Sequence, residues 1–530
     1  MPSRPTKRSR TEHVPPFGAT SDLENAVFQV NEPSYRTLPL TVLPSLVTLC
    51  DQRFVSCFKK LRENNSLWEN RISPQLQLLP DYLLPKLFAL LTKSHPGYLP
   101  HEIIVTYFMR GSNLSLSSDS LPGANKGTIM AIPRLNPQVC DLDISGFNKI
   151  ADDAFAKVIA GLHSLRSLVL RKCTKVGSKT ITAIVKSCPK IRSLNLSETS
   201  VSPAAMAELL VAHGNQLEVL KIAGLERWTD ATFMAQLHPQ VKDQEVSMPK
   251  LQTLKLRGLQ LSDSSIDFLV SLSPNLRRLD ISFTATKRPI LFTSRKDIFG
   301  ACAHLSAPRL EKLSLTSTPV AVSDLLQTIS SLPNLRTLSL GALGAAGSMG
   351  VASATTLNDA TLPKLTSALQ SFSNLRSVNL VSNARLSKTA LFDFIQRVGR
   401  NCLYLNLAGI TAMRSEALAA LLPLDGTHPA LETLILNNTS VGDDSGAYIA
   451  CCCNLIRLEV EGTKFTRESL IPNVGLSLKH LGCHSGDGLF SIIDACPKLQ
   501  VLNLTSCRGV KIADRRRFFE VWQSQRNETT

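Results

Sequence analysis

The sequence predicts an α/β solenoid, short parallel strands alternating with helices and stacked in one direction. Three observations carry this. The order L-x-x-L-x-L at Leu165, Leu168 and Leu170 returns 26 residues later at Ile191, Leu194 and Leu196, and apolar residues two apart share one face of a strand. Between the two strands, Ile181, Ile184 and Val185 stand at i, i+3, i+4 spacing on one helix face. The unit then recurs: about fourteen copies begin at residues 139, 165, 191, 217, 251, 276, 310, 335, 375, 402, 431, 455, 478 and 499, most of them 21 to 29 residues apart. One strand–helix unit cannot bury both of its faces, so the copies must stack.

Taken in order, residues 1–37 are polar, carry prolines and the basic cluster Arg4, Lys7, Arg8 and Arg10, and read as a disordered basic tail. Residues 38–128 carry no repeat. From Ser45 an apolar stripe of Leu46, Leu49, Cys50, Phe54, Cys57, Phe58 and Leu61 predicts a helix. The run 78–91 holds Pro85, so its helix should begin near Leu83 or Leu84. A third apolar segment starts at His101, and the Ser/Gly-rich stretch 111–127 reads as the link to the repeats. The repeats occupy 129–510, and residues 511–530, with Arg515, Arg516 and Arg517, read as a second basic tail. Long spacings after Leu217, Leu276 and Leu335 mark inserts, expected as loops on one rim.

The spacing and the residues that punctuate it resemble the leucine-rich repeat family, and within it the cysteine-containing subtype. Cys173, Val176, Cys188 and Pro189 approximate that subtype's pattern. So do Cys496, Pro497, Leu499, Leu502, Leu504 and Cys507. The resemblance covers roughly residues 130–510. It implies a horseshoe of about 14 repeats behind a small all-α N-terminal domain, and an association with substrate receptors of ubiquitin ligases.

Two short motifs in the helical region extend it. Ser45, Leu46, Cys50 and Phe54 resemble the box by which receptors bind elongin C, with Phe54 in place of an aliphatic residue. Leu79, Pro80, Leu83 and Leu87 resemble a cullin box, and together with Leu84, Phe88 and Leu91 they also resemble the opening of an F-box, which binds a SKP-type adaptor. The resemblance thus implies an adaptor, a cullin and a substrate as protein partners. Read as plain core, the same residues form a helical cap over the first repeat.

The residues flanking the central leucine of each strand face away from the helices. Lys221, Lys255, Arg257, Arg277, Arg278 and Lys312 make the early and middle part of that surface basic, and Glu432, Glu459 and Glu461 reverse the sign near the end. A curved sheet with a basic stripe steers acidic partners. The chain's formal charge is +16. That gives a second reading, a nuclear scaffold contacting nucleic acid or chromatin, and a third, an interaction protein with no ligase role.

The thirteen cysteines fall mostly on core positions of the repeat, as reduced thiols of an intracellular protein do. The N-terminus has no apolar run behind its basic residues, as a signal peptide would. No 18-residue apolar stretch predicts a membrane span. No phosphate-binding loop, nucleophile elbow or zinc spacing occurs, so the sequence predicts no catalytic, metal or cofactor site. A nuclear or cytoplasmic binding protein is expected.

Overall fold

The computed structural model describes residues 35–37, 45–289, 309–344, 356–466, 492, 495–496, 498–507 and 509–528. Fifteen strands of three residues each form one sheet: β1 (Tyr35–Thr37), β2 (Asn113–Ser115), β3 (Asp141–Asp143), β4 (Ser167–Val169), β5 (Ser193–Asn195), β6 (Val219–Lys221), β7 (Thr253–Lys255), β8 (Arg278–Asp280), β9 (Lys312–Ser314), β10 (Thr337–Ser339), β11 (Ser377–Asn379), β12 (Tyr404–Asn406), β13 (Thr433–Ile435), β14 (Arg457–Glu459) and β15 (Val501–Asn503). From β2 to β15 neighbours are parallel and in strict register, Leu168 opposite Leu194, Leu254 opposite Leu279, Leu458 opposite Leu502. The central residues form one buried ladder of leucines, with Val378 in one rung. Helices cover the leucine side, and this is the α/β leucine-rich-repeat solenoid that the spacing predicts.

Each strand is short because the chain turns at a fixed place. Four residues past the central leucine the backbone is left-handed in repeat after repeat: Lys172 (φ 62°), Glu198 (φ 59°), Gly224 (φ 66°), Gly258 (φ 73°), Phe283 (φ 60°), Ser317 (φ 52°) and Asn438 (φ 55°) are examples. The next residue is buried and caps the strand. The hydroxyls of Thr199, Thr284, Thr318, Thr439 and Thr463 each donate to the carbonyl three residues back, at 2.6–2.7 Å. Cys173 and Cys507 take the same place, donating to the carbonyls of Ile144 and Val460. Burial pushes the thiols of Cys173, Cys188, Cys402 and Cys496 up to about 12, which keeps them protonated and inert.

Aspartates at helix starts join successive repeats. Asp152 accepts from the backbone N–H groups of Gly177 and Thr180, Asp230 from that of Ser262, Asp359 from that of Ser387 and Asp443 from that of Thr466. Asp152, Asp230 and Asp359 thereby satisfy donors left open at the start of the next helix.

In the N-terminal domain, α1 runs Leu46–Glu63 with Ser45 as its cap, and a second helix runs Leu84–Ser94 with Pro85 in its first turn, as the sequence requires. A third helical stretch follows from His101 to Phe108. Phe58, Trp68 and Tyr107 pack edge to face at 5.8 Å between rings. The helix Leu84–Ser94 lies against β2 and covers the first edge of the sheet.

Three sequence expectations change. The sheet starts within the stretch read as a link, because Leu114 and Leu116 are buried and β2 pairs with β3. The copy expected at 478–483 lies outside the described residues, and β14 pairs directly with β15. Among the described residues fourteen strands, β2 to β15, run parallel.

The second change concerns the insert after Leu217. It is partly helix, His238–Asp243, and buries Val241 and Met248 in the core instead of looping on a rim. The middle portions of the other two inserts, 290–308 and 345–355, lie outside the described residues.

The third is that the basic tail is a helix, Ile512–Glu528, with Phe518 and Phe519 buried. Arg515 is buried too and donates to the Leu504 carbonyl at 3.0 Å. Two adjacent phenylalanines close the last repeat's core, a stronger constraint than the surrounding charge. Of the N-terminal tail, residues 1–34 lie outside the described part, and Tyr35–Thr37 forms β1, antiparallel to β15.

Candidate functional site

Two surfaces stand out, one on the helical domain and one on the sheet. On α1, residues three and four apart share a face. Val55 and Phe58 turn inward, and on that side Lys86 donates to the Thr48 hydroxyl at 2.7 Å and lies 3.6 Å from Asp51. Leu46 and Cys50 turn the other way. Leu46 is 77% exposed, Val47 44% and Leu49 45%, and Cys50 is exposed. Phe54 sits at the border, half-buried, its ring 5.8 Å from that of Phe58. The predicted stripe therefore divides: its C-terminal part packs, and its first two turns present an apolar face to solvent. Large exposed apolar residues in a group mark a contact surface.

The cullin-box residues divide as well. Leu79 and Leu83 are half-buried, and Pro80 is exposed. Leu87, 4% exposed, belongs to the domain's core and presents no side chain to a partner. Leu84, Phe88 and Leu91 are buried alongside it. In their place the same turn exposes Leu78 (82%) and Tyr82 (79%), which the motif does not include. Arg110 fixes this turn, donating to the Leu76 carbonyl at 2.8 Å and pairing with Asp81 at 3.3 Å.

On the sheet, the open face from β5 to β12 curves into one hollow of about 580 Å³. Lys221, Lys255, Arg257, Arg278 and Lys312 line it as the alternation requires. Arg277 does not; it lies one residue off the alternation, 3.7 Å from Glu311. Arg336, Asp280 and Glu311 also line the hollow. Six cations and two anions leave an excess of four positive charges. Lys221 and Lys255 are opposite one another, as are Arg278 and Lys312, so the cations cross four successive strands as two staggered pairs. Serine and threonine hydroxyls fill the rows between, Thr253, Ser282 and Thr316 among them.

One contact at the rim escaped sequence reasoning. The Arg257 guanidinium lies over the Phe283 ring, 4.5 Å from its centre. The signal was present: a phenylalanine at the turn position that the two preceding repeats give to Gly224 and Gly258.

Among the described residues no group of three His, Cys, Asp or Glu side chains is placed to hold a metal, and no helix is long and apolar enough to cross a membrane. The arrangement offers surfaces for binding.

No family model matches the chain. Among solved structures, the chain is similar to that of the Rad7 and Elc1 complex from yeast, at 16% identity over 82% of this chain and 98% of that one, with a TM-score of 0.44. It is also similar to an internalin, inlF, from Listeria monocytogenes, at 15% identity over 65% of this chain and 84% of that one, with a TM-score of 0.35. By its own ladder, turns and caps, the chain is a leucine-rich-repeat solenoid carrying a helical domain at its N-terminal end.

Proposed function

We propose that the protein is the substrate-recognition subunit of a cullin-RING ubiquitin ligase. The first two turns of α1 dock an elongin-C-type adaptor, the turn at Leu79 and Pro80 contributes to cullin recruitment, and the hollow holds the substrate. The observation that carries this reading is the outward face of α1: Leu46 and Cys50, the two anchors of the box, stand exposed beside Val47 and Leu49 instead of packing into the domain. A helix serving only as a cap would bury them. The F-box alternative is less supported, since Leu84, Phe88 and Leu91 are committed to the core. The protein itself does no chemistry; it raises the effective concentration of substrate at the ligase by engaging two partners at once.

Anchors in desolvated pockets carry ~2 kcal/mol or more each. Leu46→Ala combined with Cys50→Ala should abolish co-purification of elongin C while leaving the melting temperature unchanged, because neither side chain supports the fold. Unchanged adaptor recovery, or a lowered melting temperature with no change of partners, would reject the reading.

A further inference from the structure

The rim contact is out of keeping with the rest of the solenoid. The stack sets this left-handed turn in repeat after repeat, and phenylalanine, the bulkiest side chain placed there, is strained in it. Phe283 is 38% exposed in this conformation, with Arg257 stacked on its ring. The ring and guanidinium form a flat, cationic and partly apolar platform at the edge of the hollow. The floor beside it carries the staggered pairs Lys221–Lys255 and Arg278–Lys312.

We propose that the hollow takes an acidic protein segment, one with at least two negatively charged side chains beside an apolar residue. Its charges meet the two cation pairs and the hydroxyls between them, and its apolar residue rests on the Arg257–Phe283 platform. The size suits a short stretch of chain, since the volume lies within the ~300–1,000 Å³ of ligand pockets. Asp280 and Glu311 among the cations disfavour a continuous run of phosphates, as on nucleic acid, and leave room for charges at discrete positions. Carboxylates and phosphoserines share this chemistry. The proposal rests on the hollow being the substrate surface, and it is independent of the adaptor face.

The test is selection of a random dodecapeptide display library on the full-length protein, followed by anisotropy titration of the selected peptides. Asp and Glu should be enriched beside an apolar residue, and replacing the acids by Asn and Gln should weaken binding at least tenfold. A phosphoserine version of one peptide, run in parallel, tells which anion is preferred. Lys255→Glu with Arg278→Glu should remove the acidic enrichment while elongin C still co-purifies, which separates this proposal from the adaptor reading. Phe283→Gly should weaken binding severalfold and raise the melting temperature, since glycine relieves the strained turn; a residue with a merely structural role cannot move the two in opposite senses. Peptides without acidic enrichment, binding indifferent to the charge reversal, or labelled single-stranded DNA bound more tightly than any selected peptide would overturn the proposal.

Discussion

Asp230 shows how single residues hold this fold together. Burial pushes its carboxyl up, but the Ser265 hydroxyl at 2.6 Å and the Ser262 backbone N–H at 2.9 Å favour the charged form, and the balance lies below the ordinary value. A carboxyl lowered by folding contributes stability above its unfolded value, about 3.9, and loses it as pH falls through the folded value. Asp230→Ala should therefore cost about 1 kcal/mol at pH 7, as loss of a helix cap does, with the difference from the parent shrinking below about pH 4. Urea unfolding at pH 7 and pH 3 measures it, and an equal loss at both would show that the charge is not involved. This carboxylate was not readable beforehand, because its partners lie more than thirty residues away. The central leucines were readable, since period alone places them. Leu46 shows the limit. An apolar residue in a helical stripe reads as core, and only the packing of the helix Leu84–Ser94 against the opposite side of α1 decides that it stays outside.

Among elements, strands declared themselves when leucine repeated and hid when serine surrounded it. β2 lies in a serine-rich stretch and has only Leu114 and Leu116 to mark it. The left-handed turn was invisible, because lysine, glutamate, glycine, phenylalanine, serine, alanine and asparagine all occupy it. The stack imposes the conformation there whatever the residue prefers, and short-range propensity yields to tertiary context. The C-terminal helix was hidden for the opposite reason: Arg515, Arg516 and Arg517 masked the two phenylalanines behind them. A solenoid's last core needs a lid, and Phe518 and Phe519 supply it. Phe519→Ala should cost ~3–5 kcal/mol locally, as a large buried aromatic does. Hydrogen exchange should then quicken across β15 and β14 and stay unchanged at β4 and β5, with uniform change counting against the lid.

Over the whole molecule both edges of the sheet are covered, β2 by the helix Leu84–Ser94 and β15 by β1. The edge left at that end is β1 itself, three residues long, and so short an edge offers little to recruit another chain. Deleting residues 1–37 should therefore expose β15, raise its amide exchange and promote concentration-dependent self-association, read by light scattering. A variant that stays monomeric with β15 still protected would show that β1 contributes nothing.

The pairing of β1 with β15 also reaches beyond that edge. Thr37, in β1, pairs with the last strand, Ser45 caps the first helix of the N-terminal domain, and eight peptide steps separate them. Eight steps span at most about 29 Å, so Thr37, beside the last repeat, and Ser45, at the start of the helical domain, stand within that distance of one another and bring the two ends of the chain's fold close together.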